Sequence, residues 1–344
     1  MAVKTDPEKL PELLADRVLF DVRTPAEFDA GHIPGAVNLP LFTNEERAEI
    51  GTIYKQVDPR LAFLRGLELV GPKMRQYVEQ ASASAPDLSA VVHCWRGGQR
   101  SESMGWLLEK SGFDITVLNG GYKAFRRHAL EYLCALPHPL IVLGGYTGSG
   151  KTEVLHVLKR KGERVVDLEG LARHKGSAFG ALGELPQPTV EQFENDLWAA
   201  FREIPSTLPV WVEDESRSIG RVYQPDGFWR NLLSSTLIQV IVPVELRVER
   251  LVREYGAFPK EDLAESFVKI SKRIGGQHVK AALEAISRDD LSTAAHIALQ
   301  YYDKTYQHTL ERPGRGKIIR LEVDTNDPEV IAARVMEAVL EAGD

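Results

Sequence analysis

Two cysteines among 344 residues exclude a disulfide framework and fit a reducing cytosol. No apolar run approaches the ~20 residues needed to cross a bilayer, so no membrane partner is expected. The opening stretch from Met1 to Pro7 has no apolar leader core, so a cytoplasmic location is expected rather than export. Positive charge is scarce as well: 42 Lys and Arg face 49 Asp and Glu, a net charge of −7. That excludes a general nucleic-acid coat but leaves room for a local basic face. Internal repeats and low-complexity tracts are missing, and the Ala81–Ala85 stretch is expected to be a surface loop. What the chain does have is ordinary globular composition, 43% apolar and 26% charged, which excludes wholesale disorder. At roughly 150 residues per domain, the length implies two domains.

The break between them falls at Leu136-Pro137-His138-Pro139, where two prolines interrupt a helical pattern. It divides the chain into 1–135 and 136–344. In the first part, Val18-Leu19-Phe20-Asp21-Val22, Ala90-Val91-Val92-His93 and Ile115-Thr116-Val117-Leu118 read as short buried strands, with a further extended piece at Val37-Asn38-Leu39. Thr24 and Pro25 suit the cap and first turn of a helix, and 45–56 and 61–80 have helical character. In the second part, Leu140–Leu143, Arg164–Asp167, Pro209–Val212 and Leu237–Val242 are expected strands. The stretch from about Lys260 to Gln300 is expected to be largely helical. Strands alternating with helices at this rhythm specify an α/β fold with parallel sheets in both domains.

Each part carries a loop with chemical potential where a strand hands over to a helix. In the first it is Cys94-Trp95-Arg96-Gly97-Gly98-Gln99-Arg100. A thiol reacts as thiolate, so a functional cysteine needs surroundings that lower its pKa. Gly97 and Gly98 let the backbone curl so that N–H groups point inward as an anion nest, with Gln99 completing the cradle. The helix N-terminus and the Arg96 and Arg100 side chains add positive potential. Cys94 is therefore the candidate nucleophile, with Arg96 and Arg100 as its catalytic partners. Cys134, in the helical stretch Ala129–Leu136, has neither nest nor cation and is expected to be a packed core thiol.

Together with Asp21-Val22-Arg23-Thr24-Pro25-Ala26-Glu27-Phe28 and Gly31-His32-Ile33-Pro34-Gly35-Ala36, the cysteine loop resembles a rhodanese domain. In that family the loop cysteine carries a chalcogen. Here five residues, Trp95 to Gln99, separate Cys94 from Arg100, one more than in many sulfurtransferase loops. The wider cradle is the size used by rhodanese-fold phosphatases, and it suits an anion larger than thiosulfate. Asp21, Arg23 and Glu27 are expected to support the fold.

The second loop, Gly145-Tyr146-Thr147-Gly148-Ser149-Gly150-Lys151-Thr152, matches G-x-x-x-x-G-K-[ST]. Its glycines allow successive N–H groups to face phosphate oxygens, Lys151 supplies a mobile cation, and Thr152 can help place magnesium. The candidate partner acids are Asp167, after Val165-Val166, and Glu213 and Asp214, after Val210-Trp211-Val212. A solvated strand exit is the equal alternative for the latter pair. The second domain thus reads as P-loop NTPase-like with a helical C-terminal part.

A rhodanese-like domain followed directly by a P-loop domain resembles the tRNA 2-selenouridine synthase family along nearly the whole chain. The resemblance includes Val166-Asp167-Leu168-Glu169-Gly170, Gln192-Phe193-Glu194-Asn195 and Val212-Glu213-Asp214-Glu215-Ser216-Arg217. It implies a transferase acting on tRNA that carries 2-thiouridine at the wobble position. Geranyl diphosphate alkylates the sulfur, and selenium from selenophosphate then displaces the geranyl thiol. On this pattern the P-loop suits the diphosphate, and the cysteine loop suits selenophosphate, with Cys94 as nucleophile or selenium carrier. No tightly bound cofactor is implied, and magnesium is left open. Lys269, Lys272, Arg273 and Lys280, and Arg315 and Lys317 within the basic loop Arg312–Arg320, are the candidate tRNA contacts; solvated surface is the plain alternative. Trp211, Tyr223, Phe228 and Trp229 belong to the core or stack on the wobble base. A rhodanese-fold phosphatase or sulfurtransferase fused to a small-molecule kinase is the competing enzyme, and a nucleotide-regulated binding module is the non-enzymatic alternative.

Overall fold

A computed structural model describes residues 3–343. The chain forms two compact units: the chain up to Tyr132 together with Glu194–Arg202, and Leu133–Phe193 together with the chain from Glu203 onward. The first unit is built on five parallel strands, β1 (Val3–Thr5), β2 (Val18–Asp21), β3 (Val37–Asn38), β4 (Ser89–His93) and β5 (Asp114–Leu118), in the order β1-β5-β4-β2-β3. Strand β4 is central, and Ala90, Val91 and Val92 are fully buried. A parallel strand covered on both faces reads as a continuous apolar run for that reason. Thr24 accepts from the Glu27 N–H while Glu27 reaches back to the cap, so helix Pro25–Ala30 starts with a closed capping box.

The expected helix over 61–80 is two helices, Pro59–Val70 and Met74–Ser84, joined by a 3-10 turn at Gly71–Lys73. Pro72 lacks the N–H that a continuous helix would use there. The second helix takes in most of the Ala81–Ala85 stretch, and Ala81 is fully buried, which corrects the expectation of a surface loop. The residues Glu194–Arg202 end a helix, Val190–Arg202. Its Trp198 ring meets Phe125 edge-on at 4.9 Å between centroids.

The second unit has four parallel strands, β6 (Leu140–Gly145), β7 (Val210–Glu213), β10 (Thr236–Ile241) and β11 (Ile318–Glu322), in the order β11-β10-β6-β7. A small antiparallel pair, β8 (Ser218–Ile219) and β9 (Val222–Tyr223), lies outside this sheet. The expected strand Arg164–Asp167 is reduced to one bridge, Val165 to Trp211. Asp167 turns the chain instead, capping helix Leu168–Ala172 by accepting from the Gly170 N–H at 2.7 Å. The helical C-terminal part comprises Lys260–Lys269, Ser271–Ile274, Gly276–Ser287 and Leu291–Leu310. Part of the expected basic loop 312–320 is instead the start of β11, registered against β10. Among the described residues no helix is long and apolar enough to cross a membrane.

Candidate functional site

Strand β4 delivers Cys94 to the end of the first sheet. The loop after it turns at Gly97, with φ of +66°, and helix Gln99–Lys110 begins beyond it. A Cβ on Gly97 would lie 2.8 Å from the Leu118 carbonyl oxygen, so this position tolerates neither the dihedral nor the bulk of another residue. The turn after β5 fastens the loop from the other side: the Tyr122 and Lys123 N–H groups donate to the Cys94 and Trp95 carbonyls at 2.8 and 3.0 Å.

The thiol is 4% exposed. Burial alone would raise its pKa. The Ser101 hydroxyl, 3.3 Å from Sγ, the backbone N–H groups of Arg96 and Ser101, and the Arg100 charge outweigh that, and the thiol lies below its ordinary value. Ser101, fully buried with its Oγ also 3.0 Å from the Gly98 carbonyl oxygen, is a site residue that the spacing from Cys94 to Arg100 did not single out. Its signal is its place one turn inside the helix N-terminus. Arg100 differs from expectation: its guanidinium holds Glu27 at 2.7 and 3.2 Å, so it acts on Cys94 through its field. Arg96 and Gln99 are exposed at the loop mouth, and Gly97 and Gly98 are partly so.

Below the loop lies a buried ionic layer. Asp21 and Arg23, 0% and 1% exposed as side chains, pair at 2.6 Å. Arg23 also donates to the Gly31 carbonyl at 2.7 Å and lies 3.7 Å from the Tyr122 ring centroid. Burial opposes the Asp21 charge, but His93 and Arg23 overcome it and hold the carboxyl below its usual value. Asp21 and Arg23 hold this layer of the fold together. Cys134 does not fit its expected place: it is exposed, as the last residue of helix Gly121–Cys134, while the preceding Leu133 takes the buried position.

In the second unit, the loop 145–152 wraps from β6 into helix Lys151–Arg160. Gly148 and Gly150 have φ of +81° and +78°. A Cβ on Gly150 would run into the guanidinium of Arg250. The loop is held from outside by two arginines, Arg247 and Arg250, 4% and 3% exposed. Arg247 pairs with Asp303 at 2.8 and 2.7 Å and donates to the Thr147 carbonyl at 3.2 Å. Arg250 pairs with Glu153 and donates to the Asn326 carbonyl at 2.7 Å. Sequence reasoning missed both. The available signal was basic residues at i and i+3 on the apolar face of helix Val244–Tyr255.

Inside the loop, Ser149 Oγ donates to the Tyr146 carbonyl at 2.7 Å and Lys151 Nζ to the Gly145 carbonyl at 3.4 Å. Thr152 Oγ1 donates to Glu169 at 2.9 Å. Lys151, Thr152 and Glu169 open onto a cavity of ≈ 780 Å³ that also receives Asp167, Lys175, Asp214, Glu215 and Trp229. Burial, with the Glu169 charge beside it, pushes the Glu215 carboxyl well above the usual range despite Lys151.

The three candidate partner acids have separate places. Asp167 is the helix cap already described. Glu213 is fully buried and accepts from the Leu168 N–H at 2.8 Å. Asp214 takes Arg315 at 2.8 Å and the Tyr306 hydroxyl at 3.1 Å. This pair also corrects the expectation for Arg315: with side chains 7% and 4% exposed, it is closed off from any tRNA backbone. The other candidate contacts, Lys269, Lys272, Arg273, Lys280 and Lys317, are exposed. Of the four aromatics, Trp211 and Phe228 are core, Tyr223 is on the surface, and Trp229 lines the cavity under the Arg312 guanidinium.

Burial, then Asp167 and Glu169, raise the Glu213 carboxyl well above its usual 4.5. A raised acid costs stability once the unfolded chain can ionise it, so the cost is absent below about pH 4.5 and grows as pH rises. Glu213→Gln keeps the acceptor for Leu168. The variant should therefore match the wild type in acid and exceed it at neutral pH in urea denaturation. A neutral-pH loss would contradict this account.

Comparison with known proteins gives a family model for each part of the chain. A family model for the tRNA 2-selenouridine synthase AAA domain matches residues 138–333, and a rhodanese-like domain model matches residues 6–128. Among solved structures, the N-terminal domain of a Clostridium difficile 630 protein described as ATP/GTP-binding is 39% identical. It covers 38% of this chain and 99% of its own, with a TM-score of 0.34. A human single-domain sulfurtransferase is 26% identical over 37% of this chain and 97% of its own, with a TM-score of 0.24. The full-length tRNA isopentenylpyrophosphate transferase of Bacillus halodurans is 12% identical over 60% of this chain and 100% of its own, with a TM-score of 0.30. With a family model covering more than half its length behind a rhodanese-like domain, the chain belongs to the tRNA 2-selenouridine synthase family.

Proposed function

We propose that the protein converts wobble 2-thiouridine in tRNA to 2-selenouridine in two steps, using the P-loop for the first and the cysteine loop for the second. The observation that carries this reading is the pairing, in one chain, of a thiol with lowered pKa in an anion cradle and a complete phosphate loop. In the first step the thiocarbonyl sulfur attacks the allylic carbon of geranyl diphosphate, the carbon–oxygen bond breaks, and diphosphate leaves. Lys151 and the loop N–H groups stabilise the charge that develops on the departing oxygen. The base, once alkylated, carries a thiol leaving group.

In the second step the Cys94 thiolate attacks phosphorus in selenophosphate. A sulfur–phosphorus bond forms, the phosphorus–selenium bond breaks, and selenide is freed to displace the geranyl thiol; water then returns Cys94 and phosphate. The helix N-terminus and loop N–H groups hold the phosphoryl oxygens, and Ser101 keeps the sulfur ionised. Where magnesium accompanies the diphosphate, Thr152 would supply the hard oxygen ligand that this ion prefers; among the described residues no His, Cys, Asp and Glu cluster forms a metal site by itself. The exposed Lys269, Lys272, Arg273, Lys280 and Lys317 are assigned to the tRNA backbone, which makes affinity fall with salt.

The test is nucleoside mass spectrometry of thiolated tRNA incubated with the protein, geranyl diphosphate and selenophosphate. Formation of 2-selenouridine is expected. Untouched 2-thiouridine together with phosphate release from model esters would favour a phosphatase instead.

A further inference from the structure

A second, smaller cavity of ≈ 70 Å³ adjoins the P-loop in the same unit. Its deep walls are carbon: Leu263, Phe267, Ile286, Leu291, Ala294 and Ala298. Its rim residues Thr147, Ser177, Leu251, Tyr255 and Tyr302 also line the phosphate cavity. The two spaces therefore share a wall that includes a P-loop residue. Two of the rim hydroxyls already accept a backbone hydrogen bond: Tyr302 from the Ala178 N–H at 3.0 Å and Ser177 from the Phe179 N–H at 3.1 Å.

A nucleobase entering this slot would leave its own donors and acceptors without partners, at a cost that an apolar wall cannot return. A hydrocarbon would lose nothing and would leave water. The slot holds more than the ~30 Å³ that one water occupies in the liquid, so a short piece of chain fits in it.

We propose that this slot receives the hydrocarbon chain of a ligand whose diphosphate sits on the P-loop, and that Ala294 and Ala298 set the chain length it admits. The proposal rests on the assignment of the diphosphate to that loop. Ala294 and Ala298 lie one turn apart on helix Leu291–Leu310 and are 4% and 6% exposed. Side chains four apart share a helix face, so any growth at either position fills the slot from its floor. Selection for hydrocarbon over nucleoside, and for one chain length over another, is then built into the wall and not into the phosphate loop.

Calorimetric titration of the full chain with inorganic pyrophosphate, dimethylallyl diphosphate, geranyl diphosphate and ATP tests this. Wild type should bind geranyl diphosphate roughly tenfold or more tighter than the shorter dimethylallyl compound, and that one tighter than pyrophosphate. Ala298→Phe should remove the advantage of the longer chain while pyrophosphate binding stays unchanged, which also reports that the variant is folded. Ala294→Val should lose part of the same advantage. If pyrophosphate binds and geranyl diphosphate binds no tighter, or if Ala298→Phe keeps the preference, the slot assignment falls alone. ATP binding tighter than geranyl diphosphate would overturn it as well. If neither pyrophosphate nor any diphosphate binds, the P-loop assignment falls and takes the slot with it.

Discussion

Cys94→Ser should abolish selenium transfer, by on the order of 10⁴-fold or more, while leaving the alkylation step intact. A serine hydroxyl fills the same space and meets the same Ser101 oxygen, 3.3 Å from Sγ in the native loop, so the loop itself is expected to persist. What disappears is the ionised nucleophile. The alkylated nucleoside should then accumulate, visible by mass spectrometry as a product that wild type does not retain. Ser101→Ala is the complementary variant. It removes one of the groups that hold the thiol below its ordinary value, so the pH profile of Cys94 alkylation by iodoacetamide should move to higher pH. An unmoved profile would show that the backbone N–H groups and Arg100 suffice.

Asp21→Ala should be the most damaging stability change, at about 3–5 kcal/mol, because it strands a buried guanidinium. Arg23 is 1% exposed as a side chain, so water cannot replace the lost carboxylate. The Gly31 carbonyl and the Tyr122 ring remain, and neither carries a full charge. An exposed pair gives the contrast: Arg75 and Glu79, with side chains 89% and 60% exposed, should cost far less when Arg75 becomes Ala, because water screens both charges. Urea denaturation followed by circular dichroism separates the two. Because the Asp21 carboxyl lies below its ordinary 3.8 in the folded chain, its stabilisation is present above that pH and is lost as pH falls through the folded value. Equal losses from the two variants would contradict the view that this ionic layer supports the cysteine loop.

The parts legible in the sequence were those whose signal is local. Strand β4 announces itself as Ala90-Val91-Val92 because both its faces are covered. The P-loop is legible because glycine most readily adopts the positive φ that Gly148 and Gly150 show. The residues that brace these loops were not legible, because their partners lie far along the chain. Arg247 meets Asp303, and Arg315 meets Asp214 across 101 positions. A basic residue near a strand looks alike whether it reaches solvent or a buried acid, which is why Arg315 read as a tRNA contact. The strand expected at Arg164–Asp167 failed for a different, local reason: the cap at Asp167 wins over β-propensity once Gly170 supplies its N–H. Cys134 was misplaced because helical periodicity locates a buried face only to within a residue, and Leu133 took it.

The central claim is a division of labour between the two loops, and supplying the intermediate tests it most directly. tRNA already bearing S-geranyl-2-thiouridine is incubated with selenophosphate and wild type, Lys151→Ala or Cys94→Ser, and its nucleosides are analysed by mass spectrometry. The account predicts 2-selenouridine from wild type and from Lys151→Ala, since the phosphate loop has no part left to play, and none from Cys94→Ser. Selenation by Cys94→Ser, or its loss in Lys151→Ala, would contradict it.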